Sequence, residues 1–355
     1  MQNDWPNKQT SKRVQCLIEG RVGPLRQLVD PTPLSGALQV AVIQAISLAS
    51  DGGLDEESVT MSLLGGMQAT VSWFADLFEE AATPAFKWAR YSKNSSESTG
   101  EASTGADFAF IIHFSDDAAR AAIFQAKRSK NERNLSIHQI SPARAGKHPQ
   151  PQILRLRDYG LSHLPSNATP ENLHWVHYCG YMKSSFFCRP LAALTDLLLE
   201  YEARSEEIDL ELDAFRSNLA TNENIGREML AEAKRLWATQ EERAVDRSVP
   251  IIELAHLLAL GAVTPWGTPV GGWLTLENEE AITAFRDTAS DVMTVAEATA
   301  GHSPDMANNP NATAASSNQF LSVVEHLNQQ AYAPSNSHPQ SNDVSAHARP
   351  SPLRR

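Results

Sequence analysis

Cysteine is scarce in this chain. Cys16, Cys179 and Cys188 are the only three among 355 residues, and their irregular spacing excludes a disulfide framework or a four-cysteine zinc site. Long hydrophobic runs are also missing: no stretch approaches the roughly 18 apolar residues of a membrane-crossing helix, so no membrane association is expected. The N-terminal MQNDWPNKQTSKRVQCLIEG lacks the apolar centre of a secretory signal, and the expected location is cytoplasmic. A P-loop, a dinucleotide fingerprint and a GxSxG elbow are absent, which removes the commonest nucleotide-binding and serine-hydrolase readings. Positive charge is in deficit, with 30 Lys and Arg against 42 Asp and Glu and a net charge of −12. That average argues against a nucleic-acid partner, but binding responds to the local field rather than to the sum.

What is present is ordinary globular material: 42% hydrophobic and 20% charged residues, enough for a substantial core. Residues 1–33 read as a polar arm. From Leu34 the segment LSGALQVAVIQAISLAS has the apolar density of a buried helix and stops at Asp51-Gly52-Gly53. A second helical pattern starts near Leu54, and the twin glycines Gly65 and Gly66 argue against one unbroken helix through to residue 80. After a loop-like stretch at 92–104, two strands are expected. DFAFIIHF is nearly all apolar, as a strand buried on both faces would be, and AAIFQAKR follows across the turn residues Ser115-Asp116-Asp117. HWVHYCGYM is a further strand candidate. Residues 191–300 are acidic, leucine-bearing and mostly helical in pattern. From 301 to 355 the Asn, Pro, Ser, Ala and His composition predicts a disordered tail, with one amphipathic island, QFLSVVEHLNQQ.

The chemistry concentrates in GADFAFIIHFSDDAARAAIFQAKRSK. Side chains two apart on a strand share a face, so Gln125 and Lys127 project together. Asp107 stands at the mouth of the preceding strand, where a hairpin would bring its carboxylate beside that pair. A carboxylate, an amide oxygen and an ammonium group on one sheet edge are the parts required for metal-assisted phosphodiester hydrolysis. The oxygens hold a hard cation such as Mg²⁺ or Mn²⁺, and the lysine stabilises developing charge or orients the attacking water. By spacing alone the same QxK is also what a solvated polar strand face looks like.

These residues resemble the PD-(D/E)xK, or restriction-endonuclease-like, superfamily, in the subset that replaces the second acid with glutamine. The likeness is to a group of mostly bacterial nuclease-like proteins with an E-E-S/T-I/V-T-x-x-L-L helix and an E-x-x-T-G-A-D block before the strand. Here the corresponding blocks are EESVTMSLL at Glu56 to Leu64 and EASTGAD at Glu101 to Asp107, and the likeness spans about residues 40–185. The resemblance implies that Asp107 and Gln125 bind metal and that Lys127 supports the nucleophile. Glu57 stands where these folds often add a further ligand or water-orienting group, and Glu101 could serve instead of it or beside it. Helix-start and ordinary loop roles for these two acids stay open. The implied fold is α/β: a mixed central sheet flanked by helices over residues 34–190, followed by the helical C-terminal region and the tail. The implied activity is Mg²⁺- or Mn²⁺-dependent endonucleolytic cleavage of DNA. A catalytically inactive nuclease-fold protein that binds nucleic acid or a partner protein is the alternative, and self-association through the C-terminal helices is also open.

The charge map agrees with a phosphate-bearing partner. Arg120, Lys127, Arg128, Lys130, Arg133, Arg144, Lys147, Arg155 and Arg157 lie between 120 and 157 against Glu132 alone. Arg128, Lys130 and Arg133, just after the QxK strand, are the best-placed nucleic-acid contacts. The competing expectation pairs the basic run with the acidic Glu206, Glu207, Asp209, Glu211 and Asp213. His174, His177 and Cys179 hold zinc-ligand residue types, but on a strand His174 points away from the other two and no fourth ligand has suitable spacing.

Overall fold

A computed structural model of the chain describes residues 33–296, apart from 52, 78–83, 93–99, 130–133, 144–146, 184, 220–223, 239–243 and 247–251. The expected arm (but for Pro33), the C-terminal tail with its amphipathic island, and Cys16 therefore lie outside the described residues.

Helix α1 (Pro33–Asp51) forms because Leu34, Ala37, Leu38, Ala41, Val42, Ala45 and Ala49 repeat at helical spacing, and all are buried. Helix α2 (Glu56–Leu77) opens on Asp55, whose side chain accepts the Ser58 amide at 2.8 Å, while Glu56 and Glu57 place negative charge at its positive end. The helix runs straight through Gly65-Gly66, where a break was expected. Gly66 lies against α1, and a Cβ there would already touch Ala41 at 3.9 Å. Close helix packing compensates the lower helix propensity of glycine at this point.

The sheet is mixed, as expected. Strand β1 (Ala85–Arg90) is followed by the single-turn helix α3 (Glu101–Thr104), then β2 (Phe108–Ser115) and β3 (Ala118–Arg128). β2 and β3 form the anticipated antiparallel hairpin, with Phe108 opposite Phe124. Short strands β4 (Asn134–Ser136), β5 (Ile140–Ser141) and β6 (Gln150–Pro151) lead to helix α4 (Gln152–Ser162). That helix crosses over to β7 (Val176–Tyr181), which runs parallel to the second half of β3. β8 (Phe186–Pro190) returns antiparallel to β7.

The region after residue 190 is mostly helical, with α5 (Thr195–Asn218), α6 (Ile225–Leu236), α7 (Leu254–Val263) and α8 (Glu279–Asp287). It also contributes strands: β9 (Ala244–Asp246), β10 (Ile252–Glu253), β11 (Leu274–Leu276) and β12 (Asp291–Ala296). β9 pairs with β4, β10 extends the main sheet beside β8, and β12 closes the other edge beside β1. β11 pairs with Ala119–Ala121 of β3, upstream of the part that meets β7. A division at residue 190 therefore cuts through one sheet rather than between two cores.

Two apolar clusters cover the faces of this sheet. One joins Phe86, Trp88, Phe108, Phe110 and Phe124 to α1, α2 and α7; the other joins Ala109, Ile111, Ile123 and Tyr178 to α4, α5 and α6. Arg120, expected among the phosphate contacts, is buried between sheet and C-terminal region. Its guanidinium donates to the carbonyls of Gly261 (3.0 Å), Thr264 (2.6 Å), Pro265 (2.7 Å) and Thr268 (2.9 Å) and packs 4.8 Å from the Phe114 ring. It pins the 261–268 segment to β3 and is closed to a ligand.

Candidate functional site

The site lies where β2 begins and β3 ends. The antiparallel register that pairs Phe108 with Phe124 sets Asp107 level with Gln125, and the Asp107 amide donates to the Phe124 carbonyl at 2.9 Å. Ala126 packs with Phe108 and Phe124 on one face, and Ile123 belongs to the other cluster, so Gln125 and Lys127 share Ile123's side of the strand. Asp107 Oδ2 accepts from Gln125 Nε2 at 2.5 Å and from the Ala126 amide at 2.7 Å. The expected Asp107–Gln125 proximity is present in the structure.

The acids arrive from two other elements. Glu101 opens α3, and the turn from α3 into the strand depends on Gly105, whose φ is 74°. A Cβ on Gly105 would lie 2.8 Å from both the Gln152 carbonyl and the Leu156 amide, so glycine is required for conformation and for space. Arg155, also expected near phosphate, is instead buried against backbone carbonyls. It donates to Ala102 O, to Pro142 O at 2.6 Å and to His148 O at 3.3 Å, and so fastens α3 to α4. Gln152 Nε2 donates to Glu101 Oε1 at 3.3 Å.

Glu56, passed over in favour of its neighbour, approaches the QxK strand most closely from α2. Its Oε2 accepts the Arg128 amide at 3.0 Å, and its Oε1 stands 3.6 Å from Lys127 Nζ. The bond between Thr60 Oγ1 and Tyr181 Oη, 2.9 Å long, ties the same helical turn to β7. Glu57 points along the cleft toward Arg90 of β1, with 3.7 Å between Arg90 Nη2 and Glu57 Oε1. Both glutamates belong to one cleft, together with Thr60, Arg90, Tyr91, Glu101 and Asp107.

The electrostatics follow from this crowding. The Asp107 carboxyl is pushed up from 3.8 to about 8, first by burial, then by the negative charge of Glu101, with Glu56 adding to both. The Lys127 ammonium and the Ala126 amide pull the other way and do not compensate. The cleft thus holds more negative charge than its own cations balance. Gln125 is fully buried, and its Oε1 accepts no hydrogen bond among the described residues. A carboxylate excess with an idle amide oxygen beside it fits a small hard cation. Mg²⁺ takes one or two carboxylates and keeps several waters, so it does not require a complete protein cage. Among the described residues, no three His, Cys, Asp or Glu side chains already stand as a ready metal-ligand group.

The remaining expected contacts separate. Lys130, Arg133 and Arg144 lie outside the described residues. Arg128 continues β3 beyond Lys127, with its amide held by Glu56. Arg157 pairs with Asp158 at 2.6 Å and with Glu202 of α5 at 3.4 Å, and His148 meets Asp213 at 3.0 Å. Part of the basic run therefore does face the acidic helix. His177 is buried, stacks on Phe124 and donates from Nε2 to Gly272 O at 3.0 Å; burial lowers its pKa to about 4 and keeps it neutral. Cys179 is buried opposite Cys188 on β8. His177 and Cys179 are packing residues. No helix among the described residues is long and apolar enough to cross a membrane.

Comparison of the chain with protein-family models, with curated proteins and with solved structures finds no match.

Proposed function

We propose that the protein is a metal-dependent nuclease that hydrolyses phosphodiester bonds in DNA, built on the PD-(D/E)xK pattern its sequence resembles. The observation that carries the reading is the convergence of Asp107, Gln125 and Lys127 at one strand end. Asp107 lines a cleft with Glu101 and Glu56, Gln125 is hydrogen-bonded to Asp107, and Lys127 is paired with Glu56 at its edge. Burial, with Glu101 alongside, raises the Asp107 carboxyl to about 8. Asp107, the Gln125 amide oxygen and Glu101 would hold Mg²⁺ or Mn²⁺, while Glu57, in the same cleft, is paired with Arg90. Bound there, the cation would lower the pKa of a water and polarise the scissile phosphate.

The chain's own residues supply the rest. The Ala126 amide fixes Asp107 in place. Glu56 holds Lys127 through its charge and fixes the end of β3 through the Arg128 amide, so the ammonium is oriented before substrate arrives. Lys127 then stabilises negative charge that develops on the phosphate or orients the attacking water. Asp107 must give up its proton for the site to load, which makes metal uptake a proton-releasing step near neutral pH.

Cleavage of plasmid and single-stranded DNA with Mg²⁺ or Mn²⁺ tests this, with Lys127→Ala as the comparison. Metal-dependent cutting that the substitution abolishes is the expected result; cutting that survives it places the activity elsewhere. A second reading rests on the closure of Lys127 against Glu56, with only 10% of the lysine side chain exposed. In that reading the same scaffold binds nucleic acid without cutting it, and wild type would show salt-sensitive DNA binding with no cleavage in either metal.

A further inference from the structure

The structure relocates the positive charge available to substrate. Arg120 and Arg155 are consumed by backbone carbonyls, and Arg157 pairs with Asp158 and Glu202. Lys127 is drawn down to Glu56. Among the described residues lining the cleft, Arg90 carries the one positive charge, alongside Glu56, Glu57, Glu101 and Asp107. It ends β1 directly opposite Phe108, the residue after Asp107, and the Tyr91 amide donates to the Asp107 carbonyl at 3.1 Å. The guanidinium is thus delivered by the strand next to the one that follows the proposed metal-binding aspartate.

Its present partnership is weak. Arg90 and Glu57 meet at 3.7 Å with side chains 41% and 54% exposed, a solvated ion pair of the kind that contributes little to stability. A phosphodiester offers the same guanidinium two oxygens in the planar geometry that suits it, with shorter charge-assisted hydrogen bonds. A cleft otherwise lined by four carboxylates also needs a cation at its rim if an anionic backbone is to enter.

We propose that Arg90 is the phosphate-binding residue of this cleft, exchanging Glu57 for a phosphodiester of the nucleic-acid backbone, and that Glu57 holds the guanidinium extended until substrate arrives. This rests on the reading of the cleft as a nucleic-acid site, but it does not require that the site cut. Because the contact is to backbone phosphate, it is independent of base sequence.

The test is equilibrium binding of a fluorescently labelled DNA strand and its duplex to the full chain. Ca²⁺ replaces Mg²⁺, and a salt series is recorded for wild type, Arg90→Ala, Arg90→Lys and Glu57→Gln. Arg90→Ala is expected to weaken binding about tenfold and to lower the slope of log K against log salt by about one. Arg90→Lys should keep the slope while recovering part of the affinity, because charge survives and bidentate geometry does not. Glu57→Gln removes the competing anion and should tighten binding by about threefold. Melting temperatures of all three variants close to wild type exclude a folding effect. Wild-type affinity and slope in Arg90→Ala overturn the inference while leaving the nuclease reading intact. Weakening by Glu57→Gln equal to that by Arg90→Ala also overturns it, since the pair would then be shaping the cleft. A wild type that binds no DNA removes the nucleic-acid reading and this inference with it.

Discussion

Replacing Asp107 with Asn should stabilise the metal-free protein by an amount that grows with pH. The carboxyl ionises at about 8 in the folded chain against an ordinary 3.8, because burial and the nearby Glu101 disfavour its charged form. Between those values the folded state binds a proton that the unfolded chain has lost, so each rise in pH favours unfolding. The penalty is absent below pH 4, grows through the interval and is complete above pH 8. Its upper limit is about 1.4 kcal/mol per pH unit. Asp107 shares its field with Glu101 and keeps contact with the cleft, so about half of that limit is expected, or roughly 2 kcal/mol at pH 7. Asn keeps an oxygen for the Gln125 and Ala126 donors and carries no charge, so it removes the penalty without removing the hydrogen bonds. For a chain of this size the difference corresponds to a melting temperature higher by roughly 3 °C at pH 7. Differential scanning fluorimetry in EDTA, from pH 4.5 to 8.5, measures it. The two melting curves should coincide at the acid end and diverge steadily toward pH 8. Adding Mg²⁺ at pH 8 should then raise wild type and leave the variant unchanged. Parallel melting temperatures across the whole range would refute the reasoning, because folding would not be disfavouring the charged form of Asp107.

Gly105→Ala forces a side chain into φ 74° with its Cβ 2.8 Å from the α4 backbone, and should cost about 2–4 kcal/mol in urea denaturation while displacing Glu101. Arg120→Ala leaves four carbonyls without their donor and should cost about 3–5 kcal/mol; a loss below 1 kcal/mol would mean the 261–268 segment is held by other contacts. Glu56→Gln retains an oxygen for the Arg128 amide but drops the charge beside Lys127, so melting should change little while the cleavage rate falls about tenfold or more. At pH 7, isothermal titration with Mg²⁺ in buffers of different ionisation enthalpy should reveal proton release from Asp107, and Asp107→Asn should abolish it.

The α/β class, the β2–β3 hairpin and the meeting of Asp107 with Gln125 were legible in the sequence, because each is set locally. Two apolar runs joined by Asp116-Asp117 can pair in few ways, and period-2 alternation fixes which side chains travel together. The turn at Gly105 is local in the same way, since few residues other than glycine reach that backbone conformation. Tertiary structure decided the rest. Neighbouring Glu56 and Glu57 differ by about 100° around α2, and only the packing of that helix on α1 selects which one faces Lys127. α2 runs on through Gly65-Gly66 against propensity, with Gly66 facing Ala41 of α1. β10 and β11 are two and three residues long, too short for a pattern of their own, and become strands only when β8 and β3 offer unpaired edges; β12 joins the sheet beside β1. Arg120 and Arg155 read as a basic surface because sequence records charge and not surroundings. Folding placed them among carbonyls and left Arg90, from a strand the sequence did not reveal, at the mouth of the cleft.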